Sequence, residues 1–384
     1  MSMRAFAEID LAALRSNVAK IRERAGTSRV MAVVKADAYG HGLIPCARAA
    51  ISGGAQWLGV ALLEEAIAIR SAGIKARTIA WLVPPKSDLD VAIREDIDLS
   101  IASGEHLLDV ITSGRKVGVV PRVHLEIDTG MSRGGVLKDF KELVAALKSA
   151  SDRSQIEVVG VWSHFARADE PGEPMSIDQL AKYREALDFL LVSGLDVKMQ
   201  HMANSAAIFN DSLTSIARFD MVRGGIATYG LSPDVKLMGT SNSLGLKPVM
   251  TLKAQLQLVK EVPAGASVGY GGTHTLKQDT KLGVVAMGYA DGIPRASDNR
   301  AGVFVGGKRA PIAGRVSMDQ FVVDLGSDSS AKSGDLVTVF GDGSTGEYTA
   351  DDWTAASGSI NYEIVTRIGP RVPRIHLHHE SDHS

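Results

Sequence analysis

At 384 residues the chain is too long for one ordinary hydrophobic core, so two domains are expected. Its 42 Lys and Arg against 44 Asp and Glu leave a net charge of −2, which removes any electrostatic reason to expect nucleic acid or an anionic membrane as partner. The single cysteine, Cys46, excludes an intrachain disulfide, no run is apolar enough to span a bilayer, and no basic-then-apolar leader opens residues 1–10, so a cytoplasmic protein is expected.

In chain order, residues 4–9 read as a strand and 11–22 as a helix, with Asp10 as its N-cap. From residue 30 the chain alternates. Strands are expected at 30–34, 57–61, 78–83, 99–101, 122–127, 158–162, 198–201 and 221–228. Helices are expected between them at 44–51, 64–72, 89–95, 105–111, 140–150, 177–192 and 206–210, several ending at a glycine such as Gly114 or Gly194. About eight strands with intervening helices predict a (β/α)8 barrel. A doubly wound sheet is the alternative, but no Gly-x-Gly-x-x-Gly turn follows the first strand. Past residue 240 helical periodicity nearly vanishes, and β-branched runs at 251–259, 282–287, 303–305, 321–325 and 336–340 alternate with glycine turns. The expected organisation is α/β: an N-terminal (β/α)8 barrel over 1–240, then a mostly antiparallel β domain over 241–384, linked by the small polar stretch at 238–243. Residues 1–10 are open to pairing with the β domain. The histidine-rich tail at 376–384 reads as a frayed terminus rather than a metal site, and no metal is expected.

Polar residues gather at the predicted C-terminal ends of the strands, where a barrel places its active site. Lys35 ends the first, and a lysine in an apolar pocket has a lowered pKa and can act as nucleophile or base. Glu126 through Arg133 end the fifth, Ser163 and His164 the sixth, His201 through Ser205 the seventh, and Arg223 lies in the eighth. Asn204 and Ser205 precede a short helical stretch, and Gly224 and Gly225 permit close approach of backbone, which suits a phosphate.

These segments resemble the alanine racemases, in family order along nearly the whole chain. They include Val34-Lys35-Ala36-Asp37-Ala38-Tyr39-Gly40-His41-Gly42, Glu126-Ile127-Asp128-Thr129-Gly130-Met131-Ser132-Arg133, His201-Met202-Ala203-Asn204-Ser205 and Met221-Val222-Arg223-Gly224-Gly225-Ile226. Gly269-Tyr270-Gly271, Gly288-Tyr289-Ala290-Asp291, Arg315-Val316-Ser317-Met318-Asp319 and Ile360-Asn361-Tyr362-Glu363 follow. The resemblance implies pyridoxal 5′-phosphate as cofactor, a homodimer with shared active sites, and interconversion of L- and D-alanine, for peptidoglycan or for catabolism. Lys35 matches the lysine that carries the cofactor and acts as one base. Tyr270 matches the opposing base, supplied by the other subunit. An isolated tyrosine has a pKa of ~10 and needs tuning. Arg295 and His164 are the candidates for that tuning.

Arg223 matches the arginine that faces the ring nitrogen, where many pyridoxal enzymes place a carboxylate, and His201 its support. Tyr39, Ser205, Gly225, Ile226 and Tyr362 match phosphate contacts, with Asn204 alongside. Arg133 and Met318 match groups that hold the substrate carboxylate, Tyr289 a tyrosine at the narrow mouth, and Asp319 a neighbour on the substrate side. Glu126 departs from the family, many of whose members have a carbamylated lysine there; its own carboxylate is expected to replace the carbamate and orient Arg133. Ser317 and Gly224 also depart, from a usual cysteine and a frequent proline. Three rivals are a decarboxylase, which Arg223 argues against; a racemase of broader specificity for serine or basic amino acids; and a pyridoxal-phosphate carrier, which would lack the second domain.

Overall fold

The computed structural model describes residues 3–379. Two compact units make up the chain: one of Asn17–Ala38 and Cys46–Thr228, the barrel unit, and one of the stretch up to Ser16, Tyr39–Pro45 and everything from Tyr229 on, the sheet unit.

After β1 (Ala5–Asp10) and the helix Leu11–Ala25, eight strands close a parallel barrel in sequence order. They are β2 (Arg29–Val33), β3 (Trp57–Val60), β4 (Arg77–Ala80), β5 (Asp98–Ile101), β6 (Arg122–Glu126), β7 (Glu157–Trp162), β8 (Met199–His201) and β9 (Met221–Gly224). Closure comes from β2 pairing with both β3 and β9, Val30 lying opposite Val222. These are short, mostly fully buried apolar runs, as expected where helices cover a parallel sheet. The helix Gly104–Val117 runs past the expected end at 111. Gly114 does not cap it but sits inside, where an added Cβ would lie 2.7 Å from Pro121; the cap is Gly118, at φ +71°. The strand expected at 221–228 ends at Gly224, because the amides of Gly225 (2.8 Å) and Ala227 (3.3 Å) donate to Ser205 Oγ instead of a neighbouring strand.

The sheet unit contains β1 together with β10 (Met250–Val262), β11 (Ser267–Val268), β12 (His274–Thr275), β13 (Thr280–Val285), β14 (Gly302–Val305), β15 (Lys308–Pro311), β16 (Phe321–Asp324), β17 (Leu336–Phe340) and β18 (Arg374–Leu377). The main sheet runs β15-β14-β17-β10-β1-β18, with β13 and β16 joined through β10. Pairing is antiparallel except between β1 and β18. Two helices missing from the sequence reading, Ala350–Ser357 and Asn361–Thr366, lie here. The tail expected to fray is ordered in part: residues 374–377 form β18, His376 donates to the His41 carbonyl (2.7 Å), and residues 380–384 lie outside the described region. Among the described residues no cluster of His, Cys, Asp or Glu could hold a metal, and no helix is long and apolar enough to cross a membrane.

Candidate active site

Lys35 lies two residues past the end of β2, at the C-terminal edge of the barrel. The polar loop expected after it is a left-handed turn. Ala36, Asp37, Ala38 and Tyr39 have φ of +53° to +54°, a region that costs a non-glycine residue about 1–2 kcal/mol. Glu65 holds the turn down: its Oε1 accepts the Ala36 amide (2.6 Å), and its Oε2 accepts the amides of Ala61 (3.0 Å) and Leu62 (3.1 Å). Ala36→Gly is therefore expected to raise the urea midpoint, stabilising the fold by about 0.5–1 kcal/mol. In a right-handed helix the same change would destabilise by about 1 kcal/mol.

The Lys35 Nζ lies 5.8 Å from the Trp81 ring, and Trp81 lies 6.2 Å from Trp162. Burial first, then the positive charges of Arg133 and Arg223, hold the Lys35 ammonium below its ordinary range against the opposing pull of Glu65. A larger share of neutral amine is thus available than on an exposed lysine.

Arg223 is buried in β9 with its Cζ 5.2 Å over the Trp162 ring. Its NH1 donates to His201 Nδ1 (3.0 Å) and the His201 carbonyl (2.9 Å). Its NH2 donates to the carbonyls of Ser163 (2.7 Å) and Met202 (2.9 Å) and to His164 Nδ1 (3.1 Å). The two terminal nitrogens are thus committed to protein acceptors, and among the described residues Nε has none. Desolvation first, then the adjacent Arg223 cation, holds the half-buried His164 and the buried His201 well below the ordinary imidazole range and neutral. Burial draws Arg223 down to about 10, so it keeps its charge at neutral pH.

Glu126 ends β6. Its carboxyl packs over Gly134, where a Cβ would lie 2.7 Å from Oε1. Burial raises it to about 7, against the attraction of Arg133 and then Arg223. Arg133 itself is exposed and, among the described residues, has no ion pair or hydrogen bond. A carboxyl raised from 4.5 to about 7 binds a proton in the fold that the unfolded chain has lost. Its stabilising contribution is complete below pH 4.5 and gone once the pH has risen past 7. Glu126→Gln is expected to flatten that fall, measured as unfolding free energy of the ligand-free protein at pH 5 and pH 8. Asn204 caps the helix Ser205–Phe209 by accepting the Ala207 amide (3.0 Å), and this sets Ser205 against Gly225.

In the sheet unit, Tyr39 is buried with its ring 4.8 Å from Tyr229 and 6.1 Å from Tyr362; burial pushes its hydroxyl far above the ordinary tyrosine range. The helix bearing Tyr362 is anchored by the buried Asn361, whose Nδ2 donates to the Ser232 carbonyl (3.0 Å) and Asp351 (2.7 Å). Tyr270 stands 70% exposed in a turn between β11 and β12, flanked by Gly269 and Gly271 at φ +72° and +75°. Tyr289 and Ala290 donate their amides to the carbonyls of Ser317 (3.0 Å) and Met318 (2.9 Å), an approach only Gly288 permits, since a Cβ there would meet both carbonyls at 2.4 Å. The Met318 side chain is exposed, and Asp319 accepts from Arg371 (2.8 Å). Arg295 is exposed and makes no hydrogen bond or cation–π contact with Tyr270; the arginine beside the Tyr270 turn is Arg315, 3.4 Å from a Cβ placed on Gly271.

Sequence reading overlooked Trp81 and Trp162, which flank Lys35 and Arg223, and also His124 and Asp98. Trp162 directly precedes the Ser163-His164 pair, which was a usable signal; the others become neighbours of the site only when the barrel closes.

Fold and site together define an α/β-barrel enzyme arranged about a half-buried lysine. Two family models match: alanine racemase, N-terminal domain, over residues 9–233, and alanine racemase, C-terminal domain, over 249–376. The chain belongs to the alanine racemase family. It is 49% identical to the alanine racemase of Frankia casuarinae, over 97% of this chain and 96% of that one, and 48% identical to that of Streptomyces coelicolor, over 98% and 96%. The crystal structure of alanine racemase from D-cycloserine-producing Streptomyces lavendulae matches at a TM-score of 0.95 and 48% identity, over 98% of both chains. Alanine racemase from Bacillus anthracis with bound L-Ala-P matches at 0.87 and 36%, over 98% of this chain and 96% of that one.

Proposed function

We propose that this chain interconverts L-alanine and D-alanine by a two-base mechanism, with pyridoxal 5′-phosphate as cofactor and as a cytoplasmic homodimer. The observation that carries the reading is the joint presence, in one barrel mouth, of an amine-biased Lys35 and an arginine, Arg223, where an electron-withdrawing site would carry a carboxylate. The donor set fits the cofactor. Lys35 offers a primary amine, Arg223 has only its Nε left to donate, and Ser205 Oγ with the Gly225 amide forms a compact hydrogen-bonding pair suited to a phosphate. Tyr39, Asn204, Ile226 and Tyr362 are the further phosphate-side candidates. When bound, pyridoxal phosphate supplies the electron sink that makes the Cα proton of alanine removable.

The chain's own groups do the rest. Lys35 Nζ takes or returns the proton on one face of Cα. The Tyr270 hydroxyl of the partner subunit takes or returns it on the other; its exposure on the isolated chain suits delivery to a second copy. Arg223, a cation held by neutral histidines, would meet the ring nitrogen as a donor only and so would not favour its protonated form as a carboxylate would. Arg133 holds the substrate carboxylate by a charge-assisted bond, Glu126 orients Arg133, and the Met318 amide is a further candidate to hold that carboxylate. His164 accepts from Arg223 and therefore acts on the cofactor side; Arg295, Tyr289 and Asp319 belong to the substrate mouth. A broader amino-acid racemase is the weaker reading, because the relatives named above are alanine racemases. The test is D-alanine formation from L-alanine by cofactor-loaded protein, with L-serine and L-lysine as comparison. No D-alanine from a loaded dimer overturns the reading.

A further inference from the structure

Beneath Arg223 a file of buried polar side chains crosses the barrel interior. The proton transfers proposed above make no direct use of it. His201 Nε2 lies 3.0 Å from His124 Nδ1, and His124 Nε2 lies 3.2 Å from Asp98 Oδ2. Asp98 also accepts from Arg122 Nε at Oδ1 (2.7 Å) and from Arg77 at Oδ2 (2.9 Å). Arg223, His201, His124 and Asp98 are 4%, 1%, 0% and 0% exposed, so no solvent is at hand to replace a lost partner.

The hydrogens can be placed in only one consistent way. A guanidinium donates and never accepts, so His201 Nδ1 carries a lone pair and its Nε2 the hydrogen. That hydrogen goes to His124 Nδ1, which leaves His124 protonated at Nε2, aimed at a carboxylate that can only accept. Room for His124 is reserved: Gly160, its register partner on β7, would put a Cβ 2.0 Å from His124 Nδ1. The Trp162 ring lies parallel to His201, 6.1 Å away and 5° from coplanar, and limits its rotation.

We propose that Asp98 and His124 are positioning residues for Arg223: by dictating the tautomer of His201, they hold the guanidinium in the one orientation that leaves Nε for the ring nitrogen of the cofactor. The inference rests on the reading given under Proposed function. Were His201 to carry its hydrogen on Nδ1, it would oppose Arg223 NH1 donor to donor, and the guanidinium would have to turn. Asp98 begins β5, at the barrel end away from Lys35, so the arrangement reaches the site only through this file.

The test combines ¹⁵N NMR of histidine-labelled holoenzyme with the variants His124→Phe and Gly160→Ala. In the wild type, His124 and His201 are both expected as neutral Nε2–H tautomers. In either variant His201 should gain Nδ1–H, the absorption band of bound pyridoxal phosphate should shift, and kcat should fall about 10- to 100-fold, with KM for L-alanine unchanged within about twofold. An imidazolium or an Nδ1–H form at either wild-type histidine overturns the proposal, whether or not the variants fold. So does a folded variant with the wild-type band and kcat. A wild type that takes up no pyridoxal phosphate overturns the parent reading, and that uptake is measured separately from the histidine spectrum.

Discussion

Lys35→Ala is expected to lower kcat/KM for alanine by at least ~10⁴, because it removes both the cofactor's point of attachment and one of the two bases. Two further readouts separate this from misfolding. The variant should lose the borohydride-fixable absorbance of the lysine-bound cofactor, and a small exogenous amine should restore part of the rate. Neither effect follows from disruption of the turn at 36–39, since that turn is held by Glu65 through backbone amides and not by the lysine side chain. Retention of more than about 1% of wild-type activity would contradict the assignment.

Tyr270→Phe is expected to cost ~10²–10⁴ in kcat, the usual range for loss of one general acid–base group. Lys35 remains in that variant. In D₂O it should therefore still exchange the Cα hydrogen of one alanine enantiomer with retention, while the other enantiomer stays inert. Mixing the Lys35→Ala and Tyr270→Phe chains tests the subunit assignment. If Tyr270 acts on the partner's Lys35, half the random dimers are hybrids with one intact site, and about a quarter of wild-type activity returns. If Tyr270 serves its own chain, every hybrid site lacks one base and no activity returns.

Much of this candidate site is legible in the amino-acid sequence. Lys35, Glu126, His164 and His201 announce themselves as polar residues at the ends of expected strands, with Arg223 inside the eighth, and a barrel gathers strand ends on one face. The left-handed turn was not legible. Ala36, Asp37, Ala38 and Tyr39 carry no glycine to mark it, and the carboxylate that stabilises it comes from Glu65, far along the chain. His124 drew no notice within the strand expected at 122–127, because its partners Asp98 and His201 sit on β5 and β8 and meet it only in the closed barrel. The helix at Ala350–Ser357 was missed although its signal was present: Thr349 and Asp352 form a capping box, Asp352 Oδ2 accepting the Thr349 amide (2.9 Å). Gly114 misled for the opposite reason, since a glycine that serves close packing looks in sequence like one that ends a helix.

The position of β1 carries a consequence for how the protein is made. Ala7 pairs with Leu252 on one side and with Arg374 on the other. At roughly 5–20 residues per second, Arg374 leaves the ribosome on the order of 20–70 s after Ala7. Throughout that interval the strand that will lie inside the sheet, next to its β18 edge, has one or both neighbours still unmade. The barrel strands, by contrast, meet in the order in which they are synthesised, and only the β2–β9 closure spans the unit. Nascent chains should therefore show a protease-resistant barrel while β1 is still accessible, and a chain stopped at Pro373 should leave β1 as an exposed edge.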